Sequence, residues 1–218
     1  MDFEGQEFTV KETWLSKKPA EGSGLVAATS FLAMMGFSLL YWSNYAGLAS
    51  QLPASMEQVL GQGQYWRLFT SIFVHSDWSH LLSNSLGVCG LSFLLYGYFG
   101  FKIYPLLTLF TGAAVMFIAL ATYPPQTCLL GASGVVYLMA GFWLTLYVGL
   151  ERRFPVGKRI FRVTGFLLIV MVPTSFSPEI SYRTHAIGFA VGILVAVLYF
   201  LPNKNRFRGE ELIEIEYD

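Results

Sequence analysis

Six stretches of this chain stay apolar for long enough to cross a lipid bilayer, and they constrain the fold more than any other feature. They fall at roughly 25–47, 78–99, 103–121, 132–150, 161–176 and 183–201. A helix needs about 20 apolar residues to span about 30 Å of hydrocarbon, whereas a membrane strand needs only about half as many. In lipid every backbone N–H and C=O must be paired within the spanning structure. The expected fold class is therefore all-α: a polytopic membrane protein built as a six-transmembrane-helix bundle. The fifth stretch is the weakest, with a clean apolar core only from Val163 to Val172, ahead of Pro173. Charge is scarce to match. Only 13% of the residues are charged, against about 25% in soluble domains. Positive and negative charges balance, so nothing favours a nucleic-acid partner.

Three regions follow: a polar N-terminal tail, 1–24, a six-helix core, 25–201, and a charged C-terminal tail, 202–218. The polar start holds no short apolar run ending in a small-residue cleavage site, so no removable signal peptide is expected. The first span then acts as the anchor. Orientation comes from Lys and Arg, which accumulate on the cytoplasmic side. With the N-terminus in the cytoplasm, Lys11, Lys17, Lys18, Lys102, Arg152, Arg153, Lys158, Arg159, Arg162, Lys204, Arg206 and Arg208 all lie inside. Only Arg67 and Arg183 lie outside. Both termini are therefore expected in the cytoplasm. Cys89 and Cys128 make no disulfide framework and read as free thiols.

This orientation brings distant residues to one depth. Spans two, four and six all run from outside to inside. His75 and His80 stand at the start of span two, Ser133 at the start of span four and His185 at the start of span six. All four are expected just below the outer surface.

Each has a bland reading and a chemical one. Ser133 sits in Gly131-Ala132-Ser133-Gly134, and small residues also line helix contacts in membranes. As a nucleophile, Ser133 needs a base. An ionisable residue inside a span reads as functional by default, and His185 opens a helix carrying Gly188 and Gly192 four residues apart. That spacing lets a neighbouring helix approach closely. If spans four and six pack through these small residues, His185 reaches Ser133. His80 and Asn84 are four residues apart and share a helical face. Both can donate hydrogen bonds to a developing oxyanion, beside the Ser133 N–H. The alternative is a polar pair joining helices. Tyr137 lies one turn from Ser133 and either packs under the His185 ring or is an ordinary core aromatic. His75, five residues before His80, is expected in the loop, supporting the site from behind. Trp66 and Arg67 lie in an outer segment, 49–77, too long for a plain connector. Arg67 is expected to hold loop carbonyls there, and the aromatics to meet the membrane interface.

Other chemistries lack their parts. No span carries Asp or Glu away from its ends, so an intramembrane aspartyl mechanism has no carboxylates. The HExxH pattern of zinc proteases is missing. His75 and His80 have the wrong helical spacing for a shared metal, so no metal site is expected. A Ser-His-Asp triad has no buried acid, since Asp77 falls at the water boundary. A Ser–His dyad remains.

Taken together the residues resemble the rhomboid intramembrane serine proteases. The matches are Trp66-Arg67, His75 with His80 and Asn84, Gly131-x-Ser133-Gly134, and His185 with Gly188 and Gly192. Their order and their spans fit as well, over about 25–201. The resemblance implies a rhomboid-like six-helix bundle in which Ser133 is the nucleophile and His185 the base. His80, Asn84 and the Ser133 N–H form the oxyanion hole, and Tyr137 stacks on His185. It further implies an outer hairpin around Trp66-Arg67 and substrate entry beside span five, near Pro173 to Tyr182. Partners would be transmembrane protein substrates in the lipid bilayer, cut near the outer face after a small residue. No cofactor is implied, and the membrane would be a bacterial cytoplasmic one. Oligomeric state is not specified. Thr184 departs from the small residue common before the histidine. The competing class is an inactive rhomboid-like protein that binds transmembrane clients. A small transporter fits less well, since neither repeats nor midplane charges occur.

Overall fold

The computed structural model describes residues 6–168 and 181–217. Among them, five helical segments are long and apolar enough to cross a membrane. They are α1 (Ser23–Trp42), α3 (Trp78–Phe99), the run Lys102–Leu120 that ends in α4 (Thr108–Leu120), α5 (Ser133–Leu150) and α7 (Tyr182–Arg208). Two shorter helices complete the set, α2 (Arg67–Phe73) and α6 (Val156–Phe166). The chain is a multi-pass membrane protein. The expected fifth span coincides with α6 at its start. Its remainder, and the expected entry loop up to residue 180, lie outside the described residues.

The chain forms two compact units. The larger holds Pro19–Trp143 and Ser181–Leu194. Its interior is aliphatic, with Leu81, Leu95, Val115, Leu120 and Met139 fully buried. Other large apolar side chains stay outside, as Leu86 does at 82% exposure, which suits a surface that meets lipid. The segment 49–77 folds onto the chain that leads into α5. Ala54 and Leu129 pair as an isolated antiparallel bridge, with bonds of 3.0 and 2.8 Å. Beneath it Ala54, Val59, Met116 and Leu120 form a small apolar cluster with Leu68 and Leu129.

The smaller unit comprises residues before Pro19, those from Leu144 to Ile180, and those from Val195 onward. It adds one small sheet to a mostly helical chain. The two tails form a two-stranded antiparallel sheet, β1 (Gln6–Glu12) against β2 (Leu212–Tyr217). The register runs from Gln6 opposite Tyr217 to Glu12 opposite Leu212, with one irregularity after Val10. Phe8 faces Ile215 and Val10 faces Ile213 across the pair, so apolar and polar residues alternate as a strand requires. Lys11 pairs with Glu214 at 2.8 Å. Helix α7 also runs past Pro202, where the core was expected to end, to Arg208. Proline removes one helical bond, but packing carries the helix on. Phe207 is 2% exposed, its ring 5.1 Å from that of Trp14 and stacked on Phe200 at 6.2 Å.

Candidate active site

Three helix starts carry the candidate residues. Asp77 caps α3 by accepting the His80 N–H at 2.9 Å, so His80 stands in the first turn and Asn84 one turn further. That N–H bond from His80, and after it the bond from the Ser76 hydroxyl, hold the Asp77 carboxyl below its usual range. Ser76 also meets His80 Nδ1 at 3.1 Å. Ser133 is the first residue of α5, and His185 lies in the first turn of α7.

The turn before Ser133 meets α3. Gly131 has φ of 110°, where a side chain is strained. A Cβ there would lie 2.8 Å from His80 Nε2 and 3.9 Å from Asn84 Nδ2. The imidazole edge and the amide therefore border the turn directly. Asn84 Nδ2 donates to the His80 carbonyl at 3.1 Å, and Gly131 N–H donates to the Ser71 carbonyl at 2.8 Å.

His75 braces the same turn from behind. It is fully buried between α2 and α3. Its Nε2 accepts the Ala132 N–H at 3.3 Å, and its Nδ1 lies 3.2 Å from Ser38 Oγ. Ser38 gives its own proton to the Phe73 carbonyl at 3.3 Å. The consistent assignment is a neutral ring with its hydrogen on Nδ1. Burial, helped by the neighbouring His80, pushes the His75 pKa down to about 4. The two imidazoles meet edge to face, 5.0 Å apart.

Helices α5 and α7 touch through backbone. A Cβ on Gly188 would run into the Gly134 carbonyl oxygen, and one on Gly192 into that of Leu138. Along this seam Tyr137 stacks on His185, with ring centres 4.1 Å apart and planes 14° from parallel. His185 Nδ1 is buried and has no hydrogen-bond partner among the described residues. The Thr184 methyl lies against Gly134, 2.7 Å from where a Cβ would stand. Its hydroxyl bonds to Ser181, which accepts the Thr184 N–H at 3.2 Å and meets Tyr123 Oη at 2.8 Å.

Trp66 and Arg67 lie in the segment 49–77, at the start of α2. The Trp66 ring is exposed, whereas Arg67 is buried and donates to the carbonyls of Ser50 and Pro53 at 2.9 and 2.8 Å. Cys89 and Cys128 are free. Among the described residues no three His, Cys, Asp or Glu side chains gather as a metal site would require. Ser38, Ser71, Tyr123 and Ser181 were not singled out in the sequence. A hydroxyl halfway along an apolar span, as at Ser38, is the signal that could have found one of them.

The Rhomboid domain family matches residues 62–202, well over half of the chain. The chain belongs to the rhomboid family. That match contains α2 to α5, His75, His80, Asn84, Ser133 and His185, and leaves α1 and β1 outside. Rhomboid protease GluP of Bacillus subtilis (strain 168) is 28% identical over 73% of this chain and 31% of its own length. Putative rhomboid protease YdcA of the same organism is 26% identical over 68% of this chain and 74% of its own. RHOMBOID-like protein 5 of Arabidopsis thaliana is 23% identical over 77% of this chain and 55% of its own. This rhomboid thus spans about a third of the length of the first relative and about half that of the third.

Proposed function

We propose that this rhomboid is an intramembrane serine endopeptidase that cuts transmembrane protein substrates near the outer membrane face with a Ser133–His185 dyad. The six segments of 25–201 form the core, both tails lie in the cytoplasm, and the membrane is a bacterial cytoplasmic one. The observation that carries the reading is the stacking of Tyr137 on His185. Tyr137 is one helical turn from Ser133, which supports the reading that an imidazole on its face serves that hydroxyl. The backbone contact of Gly188 with Gly134 supports the same alignment.

In the reaction His185 takes the Ser133 proton as Oγ attacks the scissile carbonyl. Negative charge on the carbonyl oxygen meets the Ser133 N–H, the Asn84 amide and His80, whose side chains border Gly131. The imidazolium then gives its proton to the leaving amine. Water, activated by the same ring, frees the acyl group. The stacked Tyr137 ring supports the orientation of the imidazole. A helical substrate hides its carbonyls in i to i−4 bonds and must unwind locally, which Gly or Pro near the cut makes easier. These steps need no cofactor.

The test combines fluorophosphonate labelling of the purified protein with cleavage of a single-span substrate. Both signals are expected in the native chain. Ser133→Ala and His185→Ala should abolish cleavage, and Asn84→Ala should lower kcat by about 10²–10³. Cleavage that survives Ser133→Ala overturns the proposal. A client-binding protein without activity would give neither signal.

A further inference from the structure

The junction of α5 and α6 carries a cluster of cations that the proposed reaction does not use. Arg152, Arg153, Lys158, Arg159 and Arg162 follow one another closely. Two of them meet carboxylates. Arg153 holds Glu151 through two bonds of 2.7 Å, and Arg152 meets Glu211 at 2.6 Å. Lys158, Arg159 and Arg162 face no carboxylate among the described residues. Lys158 and Arg162 gather instead on one ring, their charged ends 4.7 and 4.0 Å from the centre of Phe154. Arg162 also donates to Tyr147 Oη at 3.1 Å, and Arg159 donates to the Val148 carbonyl. Cations held on an aromatic face and at a helix C-terminus are preorganised.

Helix α6 is two-faced. At 3.6 residues per turn Val156, Ile160 and Val163 share one side, and Lys158 and Arg162 lie opposite. None of its residues is buried, and Phe161 is 78% exposed. No acidic residue lies in it. A phosphate from solution would satisfy the cations and leave the apolar side in water. A phospholipid satisfies both, with its headgroup on the cations and its chains along the apolar side. The position agrees, because α5 is long and apolar enough to cross a membrane and ends at Leu150, where headgroups would meet the cations that follow.

We propose that Lys158 and Arg162, held on Phe154, and Arg159, held on the Val148 carbonyl, bind the phosphodiester headgroup of an anionic phospholipid. Its acyl chains lie along Ile160 and Val163, on the apolar side of α6. The site does not depend on the protease reading, because its readout is binding.

The experiment reconstitutes the full chain in phosphatidylcholine nanodiscs containing a minor share of phosphatidylglycerol. Native mass spectrometry then counts the phosphatidylglycerol retained as its share is raised. The triple variant Lys158→Gln, Arg159→Gln, Arg162→Gln should lose apparent affinity by on the order of a hundredfold. The charge-preserving triple Lys158→Arg, Arg159→Lys, Arg162→Lys should stay within a few-fold of the native chain, as should Lys102→Gln with Lys204→Gln. Excess inorganic phosphate should not displace the lipid. If the neutral triple melts early in circular dichroism, Arg162→Gln alone is read, with a loss of several-fold. Equal retention by native and neutral chains, equal loss in the Lys102 and Lys204 control, or displacement by phosphate would each overturn the proposal.

Discussion

His185 lies against a ring face where the base of a Ser-His-Asp triad is held by a carboxylate. Stacking fixes the plane of the imidazole without adding charge to a low-dielectric site. Tyr137→Phe keeps that face and should leave kcat within a few-fold, whereas Tyr137→Ala should lower kcat by roughly tenfold or more at similar KM. Single-turnover cleavage separates the two. His75 makes a different prediction. Its pKa is about 4 in the folded chain and about 6.5 when unfolded. The lowered value means the unfolded state takes up the proton first. Stability from the neutral ring is therefore complete above pH 6.5 and is lost as pH falls towards 4, by roughly 3 kcal/mol. Melting in detergent across that range should show the loss, and His75→Gln, which keeps an acceptor for the Ala132 N–H, should flatten it. A melting profile unchanged by that substitution would rule out the account. At this scale the sequence was readable where a residue has few alternatives. Arg67, between two spans, was expected to hold loop carbonyls, and it donates to those of Ser50 and Pro53. The link from Ser38 through His75 to Ala132 was not readable, because it joins three elements far apart in sequence.

Among elements, the contact of α5 with α7 is the one that leaves least room. Replacing Gly188 with valine pushes a side chain into the Gly134 carbonyl, and backbone cannot step aside as a flexible side chain can. Gly188→Val should cost at least about 1–3 kcal/mol and should reduce cleavage far more than Gly157→Val, where a Cβ meets nothing within 4 Å. Thermal melts and cleavage assays of the two variants, run side by side, decide it. Five of the expected spans were legible as long apolar runs, with boundaries within a few residues for α3 and α5. The continuation of α7 beyond Pro202 and the pairing of β1 with β2 were not. Both depend on contacts, such as Trp14 with Phe207, that hydropathy does not register.

For the whole molecule, the proposed orientation can be tested with the chain's own thiols. Cys128 is exposed in the loop before α5, on the side assigned to the exterior. With Cys89 replaced by serine, a membrane-impermeant maleimide should label Cys128 in intact cells. A cysteine placed at Lys17 should react only after permeabilisation. The reverse pattern would invert the topology and carry Ser133 to the other face. The tail ribbon has a mechanical corollary. Gln6 and Tyr217 sit opposite each other at its open end, and Glu12 faces Leu212 at the closed end. Tension applied between those outer residues, as by optical tweezers, would unzip the ladder rung by rung at low force. No helix would bear load until Glu12 and Leu212 had parted.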